Sequence, residues 1–157
     1  MKLVSRILTL LVLAGTMVFY SSCGGGDGDS KSETDQQLEK LNGTWVIQAD
    51  ADVTQGGKAP AYGYKNMELK ITAPAGSTSI PWTTSGRPAL SPWNDQGTFT
   101  FGDPVASKLK RNDNVTITYS VTDTELIMTF EGFTGAGYQG RSKSVEGDWH
   151  FEFAKKP

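Results

Sequence analysis

The sequence predicts an all-β protein, an antiparallel sheet curled into an up-and-down barrel with one buried face. Three observations carry that expectation. From Gly43 onward, apolar residues recur at every second position in six separate stretches. Clusters of Gly, Pro, Asn and Asp bound those stretches. No segment after Leu41 carries a helical stripe. One-sided strands in consecutive order must curl around a shared core, which favours a barrel. A two-sheet β-sandwich uses the same alternation and stays open as the alternative.

Residues 43–53 open the pattern, with Trp45, Ile47, Ala49, Ala51 and Val53 facing in and Thr44, Val46, Gln48, Asp50 and Asp52 facing out. Residues 67–73 set Met67, Leu69 and Ile71 against Glu68, Lys70 and Thr72. In residues 98–101, Phe99 and Phe101 share a face. Residues 115–121 place Val115, Ile117, Tyr119 and Val121 inward. Residues 125–131 do the same with Leu126, Met128 and Phe130, leaving Ile127 as the one apolar residue facing out. Residues 145–153 close the set with Val145, Trp149, Phe151 and Phe153 inward. The linker 122–124 is short enough only for a hairpin, and Arg111-Asn-Asp-Asn114 is a turn cluster.

Two linkers are long, residues 54–66 and 74–97. A connection of that second length is either functional or hides a strand, for which residues 77–83 are the candidate, with Pro81 forcing it to an edge. Residues 132–144 form a third, glycine-rich loop. Strand parity then matters. With a strand at 77–83, the loops of Tyr62/Tyr64 and of Trp93 share one end of the meander. Without it, Tyr62/Tyr64 share an end with Tyr138. On this strand count, a simple up-and-down order keeps the three loops from converging.

The first 22 residues have the three parts of an export signal. Lys2 and Arg6 supply the positive start, residues 7–20 the apolar run, and Ser21 and Ser22 the small residues before a cut. The apolar run is shorter than the roughly 18–20 residues a membrane-spanning helix needs. Cys23 is the only cysteine, so it has no internal disulfide partner. Residues 23–37 hold no large apolar residue and are expected to be a flexible Gly/Asp tether, with one helical turn over 36–41 leading into a domain of residues 38–157. Of 157 residues, 135 remain after a cut at 22; the 15 basic residues less Lys2 and Arg6 leave 13 against 17 acidic. That balance excludes a nucleic-acid surface, which needs clustered positive charge.

Small residues running into a cysteine resemble the lipobox of bacterial lipoproteins, in which the cysteine is acylated. Tyr20 stands where an aliphatic residue is usual, a form similar to lipoproteins of Bacteroidota-type bacteria. The resemblance implies lipidation at Cys23 and an outer-membrane, lipid-anchored location, with the Gly/Asp tract resembling acidic signals for surface exposure. Leu41-Asn-Gly-Thr-Trp45 resembles the opening of lipocalin-like barrels, where the Trp plugs the closed end beside a basic side chain from the last-strand region. Trp45 matches the plug and Arg141 is the candidate partner. The mid-chain signature of that family is missing.

Catalytic chemistry has little to stand on. His150 is the only histidine, and no Gly-X-Ser-X-Gly elbow is present. His150 shares a strand face with Asp148 and Glu152, but side chains at i, i+2 and i+4 of one strand splay apart, whereas zinc takes ligands from several elements. Asp50 and Asp52 form a similar outward pair, for which calcium and a polar exterior are the two readings. No cofactor and no metal are expected. The loop aromatics Tyr62, Tyr64, Trp93 and Tyr138 suit stacking on a sugar face or an apolar ligand at a barrel mouth; the alternative is that they fold back as lids over the barrel ends. The expected function is therefore a membrane-anchored, non-enzymatic lipoprotein that binds a small apolar or glycan ligand at one end of a β-barrel. The alternative is a structural or accessory subunit of an envelope protein complex, with the Ile127 face as one contact surface.

Overall fold

A computed structural model describes residues 31–135 and 142–157. The helix α1 (Glu33–Leu41) precedes nine strands: β1 (Gly43–Val46), β2 (Val53–Gln55), β3 (Glu68–Ile71), β4 (Ile80–Ser85), β5 (Gln96–Phe101), β6 (Lys108–Arg111), β7 (Thr116–Val121), β8 (Glu125–Phe133) and β9 (Gly147–Lys155). All neighbouring pairs are antiparallel, in the order β1-β3-β4-β5-β6-β7-β8-β9-β2, and β1 pairs again with β9. That last pairing closes an eight-stranded up-and-down barrel, with β2 as an extra strand on β9. The sandwich alternative is ruled out, because one continuous sheet returns to its own first strand.

The first predicted strand is broken in two. Val46 pairs with Ala154 and Val53 with Phe151, so seven steps along this strand face three along β9. The surplus is looped out as a 3₁₀ turn, Asp50–Asp52, which leaves Ala49 and Ala51 exposed rather than inward. Two carboxylates stabilise the excursion. Asp52 Oδ2 accepts the Gln48 and Ala49 amides at 3.1 and 2.8 Å, and Asp50 Oδ1 accepts the Tyr64 and Lys65 amides at 2.7 Å each. The acidic pair thus ties a loop, and alanine, with little strand preference and little area to bury, offers no resistance.

The helix begins earlier than the sequence predicts and takes residues 33–37 out of the expected tether. Ser32 caps it, its Oγ accepting the Asp35 amide at 3.1 Å, with Glu33 and Asp35 in the first turn where the helix dipole favours negative charge. A segment this short is marginal alone. It persists because Leu38 and Leu41 are fully buried against the barrel.

A strand does lie in the long linker, at Ile80–Ser85, but not at an edge: β3 and β5 flank it. Pro81 is tolerated as its second residue, beyond the end of β3, where its carbonyl still accepts the Thr72 amide at 2.9 Å. The sequence pattern misses β6 altogether, since Lys108-Leu-Lys-Arg111 carries only one apolar residue. That strand restores parity: the loops after β2, β4, β6 and β8 all leave from one end, so the loops bearing Tyr62/Tyr64 and Trp93 and the β8–β9 connection share a rim. The meander and their convergence are compatible after all.

The barrel interior is filled. Trp45, Tyr64, Trp82, Trp93, Trp149, Phe99, Phe130, Phe151 and Phe153 are all buried, with Leu, Ile and Met side chains between them. Ile127, expected to be exposed, is half-buried on the outer face. If α1 is part of this core, Leu38→Ala and Leu41→Ala will each cost about 2–5 kcal/mol in urea unfolding. Losses below about 0.5 kcal/mol would show that the helix is an ornament on the barrel.

Candidate functional site

At the end where the chain enters, Trp45 lies beneath α1. Its Nε1 donates to the Leu41 carbonyl at 2.9 Å, and Lys155 Nζ sits 5.1 Å from its ring centroid, within cation–π range. Lys155 also donates to the Lys40 carbonyl at 3.3 Å, near the helix C-terminus where positive charge is favoured. The basic partner of the Trp plug is therefore Lys155 of β9; Arg141, the expected partner, lies outside the described residues. Gly43 explains the Gly-X-Trp spacing, because it adopts a φ of +139° and a Cβ there would stand 3.1 Å from Lys155 Cε. Tyr119 ties helix to barrel, donating to the Val105 carbonyl at 2.6 Å with Gln37 Oε1 at 3.2 Å; burial, then the nearby Glu33 charge, pushes its phenol well above the ordinary value.

The opposite end is closed by a buried arginine. Arg111 is 1% exposed and stands 5.5–6.0 Å from the ring centroids of Trp82, Trp93, Phe130 and Phe133. Its Nη1 donates to the Pro92 carbonyl at 2.6 Å, and Nε and Nη2 form a two-pronged pair with Asp113. Burial pushes the Asp113 carboxyl up, but the Arg111 hydrogen bonds and charge outweigh it and hold the group below its ordinary 3.8. Neither residue was singled out from the sequence. The available signal was parity, since Leu109 and Arg111 occupy the same face of a two-residue repeat and both point inward.

The stacking residues predicted for a barrel mouth separate. Tyr64 is buried edge-on against Trp149 and Phe151, with its hydroxyl 3.4 Å from the Leu90 carbonyl. Trp93 is also buried, packed edge-on against Trp82, Phe99, Phe130, Phe151 and Phe153. Both are core residues and offer no ring face to a ligand, which corrects that expectation. Burial of so large an apolar area outweighs any advantage of leaving the rings in water. Tyr62 is 52% exposed, the one large hydrophobic residue so placed among the described residues. Tyr138 and Cys23 lie outside the described residues.

The His150 face does not assemble a site. His150 Nδ1 is 3.3 Å from Thr129 Oγ1 and Nε2 is 2.9 Å from Glu152 Oε1, while Asp148 Oδ1 instead accepts the Gly132 amide at 2.7 Å. No group of three His, Cys, Asp or Glu side chains is placed to hold a metal ion among the described residues. Depressions on the described surface include one of about 270 Å³ by Gln48, Asp52, Glu125 and Glu152, one of about 440 Å³ between α1 and residues 73–75, one of about 430 Å³ over β4 and β5, and one of about 530 Å³ by Gln36, Lys40, Asp123 and Lys155. No family model, curated protein or solved structure matches the chain.

The Arg111–Asp113 pair makes two predictions. Asp113→Ala strands a buried cation and should cost about 3–5 kcal/mol, whereas adding Arg111→Met in the same chain should recover most of the loss. Equilibrium denaturation checks both, and an additive double variant would refute the pairing. For pH, a lowered folded-state value means that the stabilisation is fully present above about 3.8 and is lost as pH falls through the lower folded value. Wild-type unfolding curves should steepen their loss in that window, and Asp113→Asn should remove the effect.

Proposed function

We propose that the protein is a membrane-tethered, non-enzymatic lipoprotein whose barrel is a rigid accessory subunit of an envelope protein complex. The observation that carries this reading is the filled interior. A hollow barrel would favour a ligand within it, but here Trp93 and Tyr64 occupy the space such a ligand would need. The export signal, the lipobox-like Ser-Ser-Cys23 and the Gly/Asp tract support an acyl anchor in a bacterial outer membrane. Within the folded part, Lys31 precedes α1 at the plugged end, and the opposite rim carries the exposed Tyr62 as a surface for a partner.

Cys23→Ser should release the protein from the membrane fraction while its circular dichroism and thermal midpoint stay unchanged. Retention in the membrane would remove the anchor from the reading. Cross-linking of the acylated protein in native envelopes, followed by affinity capture, should recover one partner at a fixed stoichiometry. Capture of the protein alone would sink the accessory role.

A further inference from the structure

The loop between β2 and β3, residues 56–67, presents one aromatic ring at the rim and holds it there. Tyr62 is 52% exposed, whereas Tyr64, two residues on, is fully buried. A lone exposed tyrosine is ordinary on a protein surface. What sets Tyr62 apart is how firmly the backbone on either side of it is fixed.

Before the ring, Gln55 and Lys58 close a tight turn, each amide donating to the other's carbonyl, at 2.8 and 3.1 Å. Pro60 then restricts the chain further, because its ring sets φ. After the ring, Asp50 Oδ1 accepts the Tyr64 and Lys65 amides at 2.7 Å each. Gly63 lies so close to that carboxylate that a Cβ would stand 2.8 Å from Oδ1 and 3.1 Å from Cγ. The Tyr64 ring fastens the loop to Trp149 and Phe151 in the core, and the Asn66 amide donates to the Ile47 carbonyl at 2.9 Å. Residues 59–62 therefore span two fixed points, with Tyr62 against the second.

Charge marks the same loop. Lys58 and Lys65 flank Tyr62, and both are exposed. Among the described residues the ion pairs involve other cations, namely Lys31, Arg87, Arg111, His150 and Lys156. Asp50 is turned to the loop's amides rather than to either lysine. Residues 56–67 hold no Asp or Glu, so the loop is a positive spot on a chain whose formal net charge is −2.

We propose, resting on the accessory role above, that Tyr62 is the anchor by which this rim docks on another protein, and that the surface receiving it is an apolar slot bordered by carboxylates. Tyrosine offers a large contact area on two side-chain torsions, so little freedom is lost when a partner closes on it. A ring already held outward by its backbone avoids the ordering cost that a loose loop would add. Ala59, Ala61 and Gly63 are exposed and small, which leaves room for a slot to enclose the ring. The two lysines attract carboxylates during approach and disfavour a basic surface. A second copy docked rim to rim would set the same lysines against each other, so the charge pattern points to a different, acidic partner.

The test treats native envelopes carrying the full acylated chain with a carbodiimide, which joins a lysine amine to a carboxylate in contact with it. The joined peptides are mapped by mass spectrometry. Lys58 or Lys65 should be joined to Asp or Glu of a single partner protein. Tyr62→Ala should lower that product about tenfold or more, while Tyr62→Phe keeps most of it. Both variants should retain the wild-type thermal midpoint, which separates lost docking from lost folding. A product that Tyr62→Ala leaves unchanged would overturn the anchor. A partner joined only through other lysines would overturn the rim assignment and leave the accessory role standing. Joining to a second copy of this chain, or Tyr62-dependent cosedimentation with phosphatidylglycerol vesicles, would overturn the acidic protein partner. Products confined to single chains, together with capture of the protein alone, would remove both the docking loop and the accessory role.

Discussion

The insertion of Trp93 into the barrel is the constraint on which the remaining structure turns. The ring descends from the β4–β5 loop and packs edge-on against side chains of β4, β5, β8 and β9, so one residue joins strands from both halves of the meander. Its loop is fastened in two ways: the Trp93 amide donates to Ser91 Oγ at 3.2 Å, and the Pro92 carbonyl accepts from Arg111 at 2.6 Å. An eight-stranded barrel has an interior just wide enough to be filled by side chains. With four Trp residues and the Phe cluster inside, this one is filled, and the loop that would have been a mouth becomes part of the core.

Each end then carries a cation against aromatic rings, but the two do different physical work. Lys155 keeps partial contact with water while its charge meets the Trp45 ring and a helix C-terminal carbonyl, so its desolvation is modest and its contribution is favourable. Arg111 is fully desolvated. The cost of that burial is comparable with what its pairing with Asp113 and the ring contacts return, so the net effect on stability is small. What Arg111 fixes is geometry, because its planar fork must satisfy a carboxylate and a loop carbonyl together. It sets the position of the loop that delivers Trp93.

The alternation of apolar residues made most of the fold legible, because one-sided strands are written directly into a two-residue repeat. The departures have specific causes. The first strand broke where Ala49 and Ala51 offered the period without enough area to hold it against two well-placed carboxylates. Residues 80–85 were recognisable only as a hint, since Pro81 argued against an interior strand. The β6 strand was invisible because its second inward position is Arg111, a charge whose partner, Asp113, is two residues away and whose aromatic cage is assembled from three other parts of the chain. Missing that strand shifted the parity of every loop after it. The loop aromatics were correctly marked as unusual, but sequence could not distinguish a ring over a mouth from a ring within a core. That difference depends on how much volume the strands leave unfilled, which no local pattern encodes.

A filled barrel leaves its exterior as the surface open to other molecules, and the exterior limits the form any contact can take. Tyr62 is the single large hydrophobic residue exposed among the described residues, so no broad apolar patch is available there to drive association by area alone. The outward rows of β4, β5, β7 and β8 are instead rich in threonine, from Thr83 and Thr98 through Thr116 and Thr118 to Thr129. Hydroxyls on a rigid sheet lose little conformational freedom when they bond a ligand, which favours many modest hydrogen bonds over a few hydrophobic anchors. Rigidity is what the interior supplies. The same packed rings that exclude a ligand from the barrel hold the wall still enough for its polar groups to act together.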